Sequence, residues 1–298
     1  RERGSDLTVF SPRASFMAHH IGDFAVSSTW AAICNELCHR VSGLFPDHFI
    51  GAAMLPQSPG VDPKTCLPEL ERCVRDYGFV GAHLYPHWCE LPPDHAKYYP
   101  YYAKCCELDV PIMMQVGHNL VYSRQRRLPS VGRPICLDRV AIDFPELRLI
   151  GIHIGIPWTD EMISMCWKHE NVFTAGDAYA PKHWPQSVVH FANTFGQNKF
   201  MFGTDFSVVE PERAMQEVEA LGFRPDPLRK ILREEFQVVL AAGQGTRMKS
   251  RQRGGRHSHS SWYEAKSSSW SSISSWMCSG GMSCMATTSA DGPATMVR

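Results

Sequence analysis

The run Asn198-Lys199-Phe200-Met201-Phe202-Gly203-Thr204-Asp205-Phe206 passes from an apolar stretch through a glycine to a carboxylate. A short apolar run bounded by turn residues reads as a buried strand. Asp205 then stands at its carboxyl end, the edge of an α/β sheet where chemistry is placed. Three other strand-like runs carry polar groups near their ends. Gln115 and His118 lie in and just after 112–117, His153 lies near the end of 147–154, and His83 lies in 79–85 with His87 just beyond. Imidazoles and a carboxylate with an open coordination position suit a divalent cation of the Zn²⁺ or Mn²⁺ kind. Such an ion would polarise a substrate carbonyl or carboxylate and lower the pKa of a bound water. Each residue also has a plainer reading. His153 could be a hydrogen-bonded core histidine, Asp205 a helix cap, and His83 and His87 packing groups. The convergence of several strand ends favours chemistry.

Parallel strands joined by helices are the scaffold that gathers such ends. Apolar runs at Leu7–Phe10, Phe49–Leu55, Phe79–Tyr85, Ile112–Gly117, Leu147–Ile154, Asn171–Ala175 and Phe200–Thr204 alternate with helix-like segments. Ser28 or Thr29 is the expected cap of the first helix and Thr159 that of the helix running to Lys168. The unit repeats at the length expected of βα pairs. A doubly wound sheet would show a Gly-rich phosphate loop after its first strand, and none is present. The sequence therefore predicts an α/β fold, a (β/α)8 TIM-like barrel over residues 1–240. The chain opens on Arg1 and reaches a strand by Leu7, so the barrel reads as N-terminally truncated, lacking its first strand.

From residue 241 to 298 the composition turns Arg/Gly-rich and then Ser-rich, without periodicity. That segment has too little apolar surface to offset its ordering entropy and reads as a disordered C-terminal tail.

Lys+Arg and Asp+Glu number 30 each in the 298 residues, so net charge gives no argument for nucleic acid or an acidic membrane surface as a partner. The 11 Cys include no C-x-x-C pair and fall mostly in helix-like stretches, as reduced thiols of a cytoplasmic protein would. No apolar run is long enough to span a bilayer, and no signal peptide is visible. Arg13, His19 and His20 follow the first strand, and a long loop from His118 to Arg133 carries Arg124, Arg126 and Arg127. Cationic loops on the site edge suit a small-molecule carboxylate substrate, with Arg13, His20, His83 and Gln115 as candidate contacts. The sequence is compatible with a homo-oligomer and does not fix the state.

Leu149-Ile150-Gly151-Ile152-His153-Ile154-Gly155-Ile156-Pro157-Trp158, followed by Phe202-Gly203-Thr204-Asp205-Phe206, resembles the amidohydrolase-related group of metal-dependent (β/α)8 enzymes. That group contains aminocarboxymuconate semialdehyde decarboxylase, resorcylate-type decarboxylases and 4-oxalomesaconate hydratase. Thr8–Ser15 and Ala53–Pro59 look most similar to the hydratase branch. The resemblance implies a hydrolase or lyase acting on a carboxylated aromatic or ring-cleavage compound. It implies that His153 binds metal and that Asp205 is a ligand or proton-transfer group, making the two the candidate catalytic pair. The family's ligand histidine on its fifth strand aligns with Gln115, leaving His118 as the candidate third ligand. The family's His-x-His pair on its first strand has no counterpart. His257 and His259 have that spacing but lie in the tail. A second reading follows from that gap: a metal-free barrel that binds a ligand or partner without turnover.

Overall fold

In the computed structural model, residues 5–11, 23–119, 128–234, 239 and 283–288 are described. The strands are β1 (Ser5–Ser11), β2 (Phe49–Gly51), β3 (Ala53–Met54), β4 (Ala82–Leu84), β5 (Ile112–Gln115), β6 (Leu149–Ile152), β7 (Val172–Ala175), β8 (Phe200–Met201) and β9 (Ser283–Thr288). The helices are α1 (Phe24–Leu44), α2 (Leu67–Arg75), α3 (Pro86–Cys89), α4 (Tyr99–Glu107), α5 (Leu137–Asp143), α6 (Thr159–Lys168), α7 (Gln186–Asn193), α8 (Pro211–Ala220) and α9 (Pro225–Arg229).

Strands β3 to β8 form one parallel sheet in sequence order, and β1 and β2 pair in parallel beside it. The expected single strand at Phe49–Leu55 is split at Ala52, whose N–H donates to Phe10 O at 3.0 Å. The next N–H, of Ala53, turns the other way, to Gly81 O at 2.8 Å. That switch stitches the two sheets into one run of seven strand positions. Continuous apolar runs are what a parallel strand needs when both its faces are covered, and β4, β5 and β6 are buried at every residue.

The two faces carry different residues. Ile112, Met114, Leu149, Val172 and Phe200 face outward into a large core shared with the helices. Val9, Ile50, Ala52, Val80, Met113, Ile150, Ile152, Ala175 and Met201 meet in a separate interior cluster. Val9 of the first strand and Met201 of the eighth belong to that same cluster, so the sheet curls round on itself as a barrel wall does.

Local signals set the helix starts. α1 begins a turn earlier than Ser28 or Thr29 would place it, because Asp23 Oδ1 accepts the Val26 N–H at 2.9 Å. Thr159 is the first residue of α6, and Trp158 occupies the cap position. Within the tail, the described stretch is β9, which pairs antiparallel with β1. Among the described residues no helix is long and apolar enough to cross a membrane.

Candidate active site at the strand exits

Side chains alternate along a strand, and that alternation builds the site. Two residues past the interior-facing Val9, Met113 and Ala175 come Ser11, Gln115 and Asp177, and four past Met201 comes Asp205. The interior is thus apolar below and polar at its carboxyl edge. All four polar residues are buried.

His153 leaves β6 with φ 72°, followed by Ile154 at 46° and Gly155 at 73°. Three successive left-handed residues, one of them β-branched, end the β6 ladder abruptly. The His153 N–H therefore needs a new acceptor and finds Asp177 Oδ1 at 2.9 Å. The other oxygen, Oδ2, lies 3.4 Å from His153 Nε2, and Asp205 Oδ2 lies 3.9 Å from the same nitrogen. One imidazole nitrogen thus faces two carboxylates. Burial pushes the Asp177 carboxyl up to about 6; His153 opposes the rise and Asp205 adds to it.

The structure brings His153 and Asp205 together, as expected, and adds Asp177, which the sequence reading missed. The expected strand Asn171–Ala175 stops two residues short of it. Its alternation Phe173, Ala175, Asp177 was the signal that pointed to a carboxylate on the interior face.

His118 does not join them. Its ring packs against Trp158, with centroids 5.9 Å apart, and its N–H donates to Ile156 O at 2.7 Å. Among the described residues no three His, Cys, Asp or Glu side chains form a group able to hold a metal ion. The expected ligand set His153, Asp205 and His118 is therefore not assembled, because the chain turns back at Gly117 and carries the His118 ring onto Trp158. Gly117 has φ 89°, and a Cβ there would lie 2.4 Å from Ile156 O.

Gln115 is buried in β5, beside Ile152 of β6. His83 is also buried, with Nδ1 2.9 Å from Ser11 Oγ. His87, at the start of α3, is fully buried, and the Val131 N–H donates to its Nδ1 at 3.2 Å. Among the described residues, the buried Nε2 of each of these histidines has no hydrogen-bond partner. Burial pushes His83 down to about 3 and His87 down to about 4, and His153 adds to both shifts. Both rings are therefore neutral near pH 7. Gln57 braces this edge: its Nε2 donates to Leu55 O and His83 O, and its Oε1 accepts the Tyr85 N–H. Tyr85 and Trp88 pack with Met54 as an apolar wall nearby. Arg13 and His20, expected to contact substrate, lie outside the described residues, as do Arg124, Arg126 and Arg127.

An interior imidazole between two carboxylates, at the exits of parallel strands, has the groups that proton transfer requires. A 2-keto-4-carboxy-3-hexenedioate hydratase of Sphingobium sp. (strain NBRC 103272 / SYK-6) is 50% identical over 171 residues, 52% of this chain and 49% of that protein. The chain thus spans about half the length of that relative. The crystal structure of a 4-oxalomesaconate hydratase from Rhodopseudomonas palustris superposes with a TM-score of 0.63 and 34% identity, over 85% of this chain and 81% of that one. A dihydroxybenzoic acid decarboxylase from Polaromonas sp. JS666, solved with bound manganese and 2-nitroresorcinol, shares the fold at TM-score 0.59 and 20% identity, over 77% of this chain and 79% of that one. The sequence model of the amidohydrolase family (Amidohydro_2) matches residues 1–234, which take in every strand exit described above except the tail strand, and the chain belongs to that family.

Proposed function

We propose that the protein is a hydro-lyase that adds water to a small, carboxylated, unsaturated keto acid of the kind produced by aromatic ring cleavage. The observation that carries this reading is the His153 Nε2 facing Asp177 and Asp205 at 3.4 and 3.9 Å. The choice of hydration over decarboxylation rests on similarity. Identity to the hydratase is 50% over 171 residues, against 30% over 119 residues for a gamma-resorcylate decarboxylase of Polaromonas sp.. The comparisons lend no support to a binding protein without turnover.

In 2-keto-4-carboxy-3-hexenedioate the carbon–carbon double bond is conjugated with the ketone. Addition of water needs three moves. The water oxygen bonds to the alkene carbon remote from the ketone, and one water proton passes to a base. The π pair shifts to the ketone oxygen as an enolate. The enolate carbon then takes a proton and the ketone re-forms. His153 accepts the water proton and returns it to carbon. Asp205, close to His153 Nε2, offsets the positive charge the ring carries between those steps. The neutral His83 and His87 rings and the Tyr85/Trp88 wall exclude bulk water from the edge of the site.

A divalent cation, Zn²⁺ or Mn²⁺, would supply further stabilisation of the enolate charge when bound. The described residues do not by themselves form a donor set for it, and no step above is routed through it.

The test is to incubate the full chain, with and without added Zn²⁺ or Mn²⁺, with 2-keto-4-carboxy-3-hexenedioate and separately with 2,6-dihydroxybenzoate. Loss of the conjugated-enone absorbance with the first, and no CO₂ from the second, is expected. CO₂ release from the second with no change in the first would replace hydration by decarboxylation. Inertness toward both would remove the lyase reading.

A further inference from the structure

We propose that Asp177 is a positioning residue for His153, holding its backbone and its ring with one carboxylate, so that Nε2–H is fixed on the acidic side and Nδ1 is the nitrogen presented to substrate. The role assigned to Nδ1 rests on the proton-transfer reading of His153 above; the geometric part does not.

The backbone at His153 needs an external hold. Residues 153–155 all have positive φ, including a β-branched isoleucine. Such a turn persists only where its surroundings over-determine it. Past Gly151, which pairs with Thr174, the regular β6–β7 ladder has ended. The Thr174 hydroxyl donates to Gly151 O at 2.8 Å, and Asp177 Oδ1 accepts the His153 N–H at 2.9 Å. Two side chains of the segment 174–177 therefore continue the pairing that the strand backbones stop making.

A neutral acceptor would satisfy that N–H. An asparagine has the same reach, and burying a carboxylate costs much more than burying an amide. Asp177 is 2% exposed, so the cost is incurred in full. The second oxygen supplies the reason for a charge: Oδ2 lies 3.4 Å from Nε2, on the side of the ring that also meets Asp205. A carboxylate accepts and never donates when ionised. Two of them beside Nε2 select the tautomer that carries its proton there. Among the described residues Nδ1 takes no hydrogen bond, which leaves its lone pair for an incoming water or substrate proton. The ring thus has one nitrogen committed to positioning and one to chemistry.

The interior layer explains why the residue comes from β7. Asp177 lies two residues beyond Ala175 on the interior face, and β7 is the strand between β6 and β8. A carboxylate from that place reaches both the His153 backbone and its ring, while Asp205 reaches the same ring nitrogen from beyond β8.

The experiment combines a spectrum with kinetics on the full chain. Two-bond ¹H–¹⁵N spectra of ¹⁵N-histidine-labelled protein, with His153 assigned by loss of its signals in His153→Gln, report the tautomer directly. Wild-type protein at pH 8 is expected to show the Nε2–H form of His153. A dominant Nδ1–H form would overturn the proposal without any variant at Asp177. Asp177→Asn keeps an acceptor for the His153 N–H but removes the charge from Nε2. It is expected to mix the His153 tautomers and to lower kcat about 100-fold, the scale on which a misplaced catalytic group reduces rate, with KM little changed. Asp177→Ala, which removes both contacts, is expected to be at least as slow. An Asp177→Asn protein with the wild-type His153 spectrum and wild-type kcat would overturn the proposal. If wild-type protein turns over no substrate, the hydro-lyase reading fails, and the tautomer spectra still decide the role of Asp177.

Discussion

Asp205 Oδ2 lies 3.9 Å from His153 Nε2, although 52 positions separate the two residues in the chain and β7 stands between their strands. The pair meets because both residues extend the carboxyl edge of one curled parallel sheet. Asp205 itself has φ 50°, so its strand, like that of His153, ends in a left-handed turn. Two strained exits thus aim an acid and an imidazole at one another across a third strand, an arrangement that fold stability alone does not require.

The first expectation concerns that pair. Asp205→Asn preserves shape and removes the charge beside His153. It should lower kcat by about 100-fold or more, the low end of what a positioned acid–base group contributes, while the circular dichroism spectrum stays that of wild type. Full retention of kcat would remove Asp205 from the chemistry.

A second expectation is a pH dependence with a defined sign. His83 and His87 have folded pKa values of about 3 and 4, below the ordinary histidine value of 6.5. Between pH 4 and 6.5 the unfolded chain binds up to two more protons there than the folded chain. Their stabilising contribution is complete above pH 6.5 and is lost as pH falls. Asp177 acts oppositely. Its folded pKa of about 6 lies above the ordinary 3.8, so its contribution is present at low pH and lost as pH rises through 6. The net difference is one proton, or a fall of about 1.4 kcal/mol per pH unit between pH 6 and 4 from these three groups. Asp177→Asn removes the opposing proton, so the slope should approach about 2.7 kcal/mol per unit. Urea unfolding at several pH values measures it. An unchanged slope in the variant would contradict the assignment.

A third expectation tests the packing behind the site. A Cβ at Gly132 would lie 2.9 Å from both Gln115 O and His87 Cε1. One of these contacts is backbone and the other a fully buried ring, so neither moves cheaply. Gly132→Ala should destabilise the fold by about 1–3 kcal/mol, the usual cost of overpacking, and lower Tm by several degrees. A Tm within a degree of wild type would show that this wall yields.

Much of the frame was legible in the sequence, because buried parallel strands are written as uninterrupted apolar runs. Leu149–Ile152, Ile112–Gln115 and Val172–Ala175 all fall where such runs occur. The pairing of Asp205 with His153 was legible for the same reason: residues at strand exits converge once the strands are parallel. What was not legible depended on contacts made after the strands end. Nothing local to His118 marks Trp158 as the partner of its ring, and nothing local to His153 marks Asp177, 24 residues on, as the acceptor of its N–H. Those partners are chosen by left-handed turns at Gly117 and at residues 153–155. Of these only the two glycines announce a positive φ in the sequence, while His153 and Ile154 do not.

The most direct measurement of the central claim is hydration in H₂¹⁸O. The full 298-residue chain, with and without added Zn²⁺ or Mn²⁺, is mixed with 2-keto-4-carboxy-3-hexenedioate, and the product is followed by mass spectrometry. Wild-type protein should yield a hydroxy acid two mass units heavier than in ordinary water once exchange at the ketone has been reversed. His153→Asn should form it at least about 100-fold more slowly. A wild-type protein that adds no labelled oxygen, or a His153→Asn protein that adds it at the wild-type rate, would contradict the account.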